Sequence, residues 1–271
     1  MQNLRTDDFT SQLTIRERQP TPSGDAVDFV NSYADGSRAN SYDALEFANT
    51  YYLAYRDLPA ILAQHVTGTR ALDFGCGTGR STRFLRQLGF VMTGVDISEE
   101  MLRIARARDP GGDYRLTPAD DFAGLKGGSF GLVLSAFTFD NIPAALKPGI
   151  LHDLRALLAP AGTLVSIVST PEIYHYEWAS FSTKDFPDNL SARIGDVVRT
   201  INTDQPDLRP VDDVFCTDES YQALYRASGL RVIQVLRPLA GGDEPYVWVN
   251  ETRIPPWAIY VSRPALAGAA I

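Results

Sequence analysis

Between Arg70 and Ser169, short apolar runs alternate with stretches of helical periodicity, and that alternation leaves few folds open to the chain. Arg70–Phe74 reads as a buried strand, followed by strands at Phe90–Val95, Tyr114–Leu116, Phe130–Ser135 and Thr163–Ser169. Thr78 can cap a helix running to about Leu88, and Ser98 a helix through Arg108. Pro148 suits the first turn of a helix to about Leu158. Glu99 and Glu100 open the Ser98 helix while Arg106 and Arg108 close it, an order that complements the helix dipole. Apolar strands separated by helices predict a parallel sheet covered on both faces. Ligands on such sheets bind at the carboxyl ends of the strands. The stretches to inspect are therefore Asp73–Gly79, Asp96, Pro118–Phe122 and Ser135–Asn141.

The flanks read differently. The first 40 residues are polar and interrupted by Pro20, Pro22, Gly24 and Gly36, which suits a loose arm. A helical stretch is expected from about Ser41 to Ala63, with Pro59 as a break, and Tyr42, Leu45, Ala48, Tyr52 and Tyr55 on one face. After Ser169 the periodicity fails. Thr170–Cys216 is rich in aromatic residues and reads as a cap. A helix at Thr217–Ser228 and strands at Leu230–Leu236 and Ala258–Ser262 follow. The expected organisation is an N-terminal arm and helical cover (1–66), a cofactor-binding core (67–170), a substrate cap (171–216) and a C-terminal part of the same sheet (217–271).

With 44% apolar residues the chain can build a substantial core. Its 25 Lys and Arg against 33 Asp and Glu, a net charge of −8, argue against a protein that tracks nucleic-acid phosphates. Cys76 and Cys216 are too few for a disulfide framework or a four-cysteine zinc site, so no metal is expected. Met1–Thr10 has no apolar signal core, and Ala156–Val168 is too short to span a bilayer. These features predict a soluble, cytoplasmic protein whose partners include neither a membrane nor a nucleic acid; its oligomeric state stays open.

The turn after the first strand carries the sharpest signal. Gly75, Gly77 and Gly79 form G-x-G-x-G, which lets the backbone approach a ligand and leaves N–H groups free. The dinucleotide fingerprint would need its third glycine where this chain has Arg80. Asp73 would repel a pyrophosphate here but attract a ligand carrying an ammonium or sulfonium, and S-adenosylmethionine carries both. Asp96, 21 residues past Gly75 at the end of the next strand, can accept bonds from ribose hydroxyls. Taken singly, Asp73 could be a turn cap and Asp96 an ordinary residue before Ser98. Their spacing around three glycines favours a site for a nucleoside with a positively charged tail.

Leu72–Gly79 and Gly94–Leu102 resemble the first two motifs of class I S-adenosylmethionine-dependent methyltransferases, and the resemblance extends from about Ala71 to Val168. It implies a Rossmann-like, doubly wound α/β sheet of seven strands, mostly parallel with an antiparallel last strand. It also implies S-adenosyl-L-methionine as cofactor, with S-adenosyl-L-homocysteine as product. Asp73 and Gly75 would face the methionine part, Asp96 the ribose, and Ile97 the adenine, with Cys76 and Gly77 also in the cofactor site. An acid near the adenine amino group would come from Asp120 or Asp121, with Phe122 packing on the ring and Ser135 at the end of the fourth strand. The family's usual Phe-Asp at the start of that strand is Phe130-Gly131 here, at the end away from the cofactor.

Methyl transfer from a sulfonium needs chiefly collinear positioning, and a base only where the acceptor must lose a proton. His175, just past the fifth strand, is the candidate base; His65 and His152 lie on or beside helices with other roles. Tyr52, Phe137, Phe139, Tyr174, Tyr176 and Trp178 are candidates for an apolar acceptor pocket, with core packing as the alternative for each. Arg56 could pair with the cofactor's carboxylate or sit at the surface. The reading is methylation of a small molecule on oxygen or nitrogen. DNA-type base methylation fits poorly, because Phe139–Pro143 lacks the Asn/Asp-Pro-Pro-aromatic motif. A relative that binds the cofactor without transferring methyl remains the alternative.

Overall fold

In a computed structural model, residues 32–118, 121–122 and 124–265 are described. Among the described residues, three α-helices precede the sheet: α1 (Gly36–Asp43), α2 (Thr50–Arg56) and α3 (Leu58–His65). Alternation then begins with β1 (Arg70–Phe74), α4 (Arg80–Gln87), β2 (Val91–Asp96), α5 (Glu99–Arg108) and β3 (Asp113–Leu116). It continues with β4 (Phe130–Ala136), α6 (Thr138–Asn141), α7 (Lys147–Leu157) and β5 (Leu158–Ser169). Three short strands follow, β6 (Phe181–Ser182), β7 (Val197–Asn202) and β8 (Val211–Val214), and then α8 (Asp218–Ala227), β9 (Leu230–Leu236) and β10 (Trp257–Pro264).

Seven strands form one sheet in the order β3-β2-β1-β4-β5-β10-β9. Pairing from β3 to β5 is parallel, and β10 runs antiparallel to both β5 and β9. The last strand is therefore the antiparallel one, set inside the sheet rather than at its edge. Successive residues feed opposite faces, as a pleat requires. Ala71, Leu132 and Val165 pack with Leu53, Leu58 and Leu85 on one face. Leu72, Val133 and Leu164 pack with Ile150, Leu154 and Tyr225 on the other.

The structure alters several expected boundaries. The single helix expected over Ser41–Ala63 is three helices. Pro59 stands in the first turn of α3, where its missing N–H costs no bond, so it starts a helix rather than breaking one. Gly79, at φ +79°, takes the N-cap position assigned to Thr78. Ser98 does cap α5, its hydroxyl accepting from the Met101 N–H. The aperiodic stretch contains an antiparallel sheet of β6, β7 and β8, and the alternation in β7 was a signal the aromatic density obscured. The arm over residues 1–31 lies outside the described residues. No helix among those described is long and apolar enough to cross a membrane.

Candidate functional site

A cavity opens at the carboxyl ends of β1, β2 and β4 and is closed over by the β6–β8 sheet. At one end stands the glycine turn. The N–H groups of Gly75 and Cys76 donate to Val95 O at 2.9 and 3.0 Å, which folds the turn against β2. Gly75 has φ +72°, and a Cβ there would lie 2.2 Å from Thr138 Oγ1. Glycine is thus required both by backbone conformation and by the close approach of α6.

Asp96 faces this end. Its Oδ2 accepts from the Gly77 N–H and its Oδ1 from the Ser98 N–H, both at 2.8 Å. Burial raises the carboxyl above its ordinary range, and the backbone N–H groups of Ser98, Gly77 and Ile97 oppose that rise. A carboxylate can accept about four hydrogen bonds, so acceptor capacity remains for a ligand. Ile97, Met101, Phe122 and Phe74 add apolar surface, and Tyr33 and Tyr42 close over it from the N-terminal segment.

Of the expected cofactor residues, Gly75, Gly77, Asp96, Ile97 and Phe122 line the cavity. The others do not. Asp73 is fully buried behind the turn, where Ser81 Oγ and Thr82 Oγ1 each donate to its Oδ2 at 2.6 Å. Burial pushes its carboxyl up to about 6 against those two hydroxyl bonds. It ties the first turn of α4 to β1 through Oδ2, while its Oδ1 has no hydrogen-bond partner. The Cys76 side chain is buried with Leu102 and Tyr114 beneath the turn. Ser135 is buried inside β4, and Asp121 is exposed off the cavity. Asp120 lies outside the described residues.

The acceptor end differs more from expectation. Only Phe137, of the six aromatics named, lines the cavity. It is a non-glycine residue at φ +62°, a strained conformation held by its N–H bond to Ile167 O at 2.9 Å. Tyr52 packs on Tyr246 outside, and Phe139 is buried behind Phe74. Trp178 is buried with its Nε1 donating to Ile173 O, while Tyr176 is exposed. Tyr174 is buried and off the lining, although its hydroxyl donates to Asp213. His175 is not among the lining residues; its ring is stacked on Phe215. Arg56 is occupied by Asp57, Glu244 and the Leu239 carbonyl rather than by a ligand.

Other aromatic residues build the wall instead: Tyr51, Phe181 and Trp257 join Phe137. Ring centres lie 4.8 Å apart for Phe137–Trp257 and 5.6 Å for Phe181–Trp257. Behind Tyr51, Arg80 is buried among four rings, its Cζ 4.7 Å from the Tyr51 centre and 5.5 Å from that of Tyr42. The residue that departs from the dinucleotide fingerprint thus fixes the N-terminal helices to the glycine turn.

Two buried carboxyls went unnamed from sequence. Asp140, on α6, accepts from the Ser169 N–H and Oγ and from the Tyr221 hydroxyl. Asp213, on β8, accepts from Asn141 Nδ2 at 2.5 Å and from the Tyr174 hydroxyl at 3.2 Å. Both line the cavity, one from the core and one from the small sheet. Burial raises both; Asp140's charge adds to the rise at Asp213, while the charge of Lys147 opposes it at each. The only forewarning was position: Asp140 falls within the strand-end stretch Ser135–Asn141.

Known proteins resemble the chain in the same region. Residues 71–162 match the model of a methyltransferase domain family. A ubiquinone biosynthesis O-methyltransferase of Xanthomonas campestris pv. campestris (strain B100) is 33% identical over 101 residues, which cover 36% of this chain and 41% of that protein. A demethylmenaquinone methyltransferase of Tropheryma whipplei (strain Twist) is 39% identical over 101 residues with the same coverage. The chain thus spans less than half the length of these curated relatives. Among solved structures, the CcbJ methyltransferase of Streptomyces caelestis aligns with a TM-score of 0.58 at 17% identity, over 84% of this chain and 96% of that one. An S-adenosylmethionine-dependent methyltransferase of Mesorhizobium loti aligns with a TM-score of 0.52 at 21% identity, over 76% and 97%. The fold is the Rossmann-like fold of the class I S-adenosylmethionine-dependent methyltransferases, in agreement with the resemblance carried by the two motifs.

Proposed function

We propose that the chain is an S-adenosylmethionine-dependent methyltransferase acting on a small-molecule acceptor. The carrying observation is Asp96: backbone N–H groups hold its carboxylate at the cavity with acceptor capacity left over, which suits ribose hydroxyls. Gly75 and Gly77 give a ligand access to the backbone, and Ile97 and Phe122 offer apolar faces for a purine. These residues fit S-adenosylmethionine, which when bound would supply an electrophilic methyl group on a sulfonium.

The charge of the lining agrees. Among the described residues lining the cavity are Asp96, Asp140 and Asp213, and no Lys, Arg or His. Such a site disfavours a pyrophosphate and favours a cationic cofactor. The chain's own work is positional: Tyr33 and Tyr42 cover one end, and the Phe137–Trp257 wall holds the acceptor at the other. Excluding water and fixing the line of approach supplies most of the rate in an in-line displacement. The names of the curated relatives, which concern quinone methylation, support a small acceptor.

Isothermal titration of the purified protein with S-adenosylmethionine and, separately, with NADH tests this reading. Micromolar binding of the first and not the second is expected, with S-adenosylhomocysteine formed on turnover. Binding of NADH alone would return the glycine turn to a dinucleotide role. Binding without methyl transfer across an acceptor screen would favour the non-methylating alternative.

A further inference from the structure

We propose that Asp213, with Asp140 beside it, is the acceptor-binding base, and that the acceptor is an aliphatic amine bound as its ammonium. The inference rests on the cavity being a methyl-transfer site. It is carried by the hydrogen-bonding groups and charges that line the cavity around Asp213.

Some of the lining donors are already engaged: Asn141 Nδ2 donates to Asp213 and to Asp212 O, and Asn202 Nδ2 to the Tyr51 hydroxyl. Acceptors are left over. Asp213 receives two donors where a carboxylate can take about four. Gln205 lines the same cavity, is 7% exposed, and its Oε1 has no hydrogen-bond partner. A buried acceptor without a donor costs free energy, so the wall is complementary to a guest rich in N–H groups. A hydroxyl brings one donor, whereas an ammonium brings two or three.

Charge points the same way. Asp140 and Asp213 stand against one buried cation, Lys147, whose Nζ lies 3.0 Å from Cys216 Sγ and off the cavity. Two carboxylates against one ammonium leave one negative charge unbalanced. A proton or a cationic guest can neutralise it. Tyr174, Tyr221 and Asp212 also bear on the pair and bring it no positive charge, Asp212 being itself paired with Arg199 on the exposed side. Phe137, Phe181 and Trp257 also line the cavity, and aromatic rings can favour a cation.

The step balances. The bound ammonium gives one proton to the Asp213 carboxylate, leaving a lone pair on nitrogen. That pair forms the nitrogen–carbon bond as the carbon–sulfur bond breaks and its electrons pass to sulfur. The product is an ammonium with one more methyl group, and the proton on Asp213 leaves to solvent with product release. Asp140 is a positioning residue: its charge keeps Asp213 a strong enough base to take the proton.

Matched probes test this. Benzylamine, phenethylamine and tyramine would be titrated against their isosteric alcohols into wild-type protein saturated with S-adenosylhomocysteine. Amines should bind at least tenfold more tightly than the paired alcohols. In Asp213→Asn the preference should fall below threefold, with S-adenosylhomocysteine affinity within twofold of wild type. In Asp140→Asn the acid limb of the rate profile for a turned-over amine should move to lower pH, a shift that lost packing would not produce. The proposal is overturned if the wild type shows no amine preference, favours the alcohols, or keeps its preference in Asp213→Asn. If wild type fails to bind S-adenosylhomocysteine and S-adenosylmethionine alike, the methyl-transfer reading fails first, and that outcome is recognised before any probe is added.

Discussion

The Gly77 N–H donates to Asp96 Oδ2 at 2.8 Å, so the turn after β1 is latched to the end of β2 by the same carboxylate that faces the cavity. Two consequences of removing that carboxylate should appear together. Asp96→Ala leaves the Gly77 and Ser98 N–H groups without their acceptor, at about 1–3 kcal/mol each. Urea unfolding should show a loss of about 2 kcal/mol, and titration should show S-adenosylmethionine bound at least tenfold more weakly. Unchanged affinity in a folded variant would remove Asp96 from the cofactor site.

Asp73 makes a pH-dependent contribution of known sign. Its carboxyl is raised from 3.8 to about 6 by burial, so the folded state holds a proton that the unfolded state has already released. Its contribution is most favourable below about pH 4 and is lost as pH rises through 6. The full shift corresponds to roughly 3 kcal/mol. Asp73→Asn should therefore gain on wild type as pH goes from 4.5 to 7.5. Chemical unfolding at the two pH values reads the difference; parallel curves for the two proteins would contradict the assignment.

How far the chain could be read beforehand depends on how local each feature is. The helix Ser98–Arg108 and the glycine turn are written in adjacent residues, and Gly75, Gly77, Asp96, Ile97 and Phe122 reach the cavity through backbone direction alone. The acceptor wall is not local. Tyr51, Phe137, Phe181 and Trp257 converge from four separated segments, and nothing in a linear pattern says which aromatic face turns inward. Tyr174 and Trp178 stand in sequence beside the right place, yet their polar atoms are taken by Asp213 and the Ile173 carbonyl. Asp213 sits on a strand so short that its alternation could not be told from a loop.

Arg80 holds four aromatic rings and the Glu46 carbonyl around one guanidinium. Lysine cannot reproduce that planar contact. Arg80→Lys should lower stability by about 2 kcal/mol and loosen the N-terminal helices. Hydrogen exchange in 36–56, compared with the sheet, would register it. Uniform loss of protection over the whole chain would contradict the local role.

Glu251 is fully buried and gathers four donors: Thr50 Oγ1 and the N–H groups of Ala179, Val249 and Asn250, all within 3.0 Å. In Glu251→Gln an amide NH₂ must face backbone N–H groups. A loss of about 2–4 kcal/mol is expected in urea unfolding. A change below 1 kcal/mol would mean the segment relaxes around the substitution.

The insertion of β10 between β5 and β9 bears on how the molecule comes into being. During synthesis β5 and β9 are both made before the strand that must lie between them. Until residues 257–264 emerge, the sheet holds an empty slot with two open edges and lacks Trp257, a member of the acceptor wall. A nascent chain at that stage can carry the glycine turn but not the complete cavity. Its window of exposure to mispairing is set by the pace at which those final strand residues leave the ribosome.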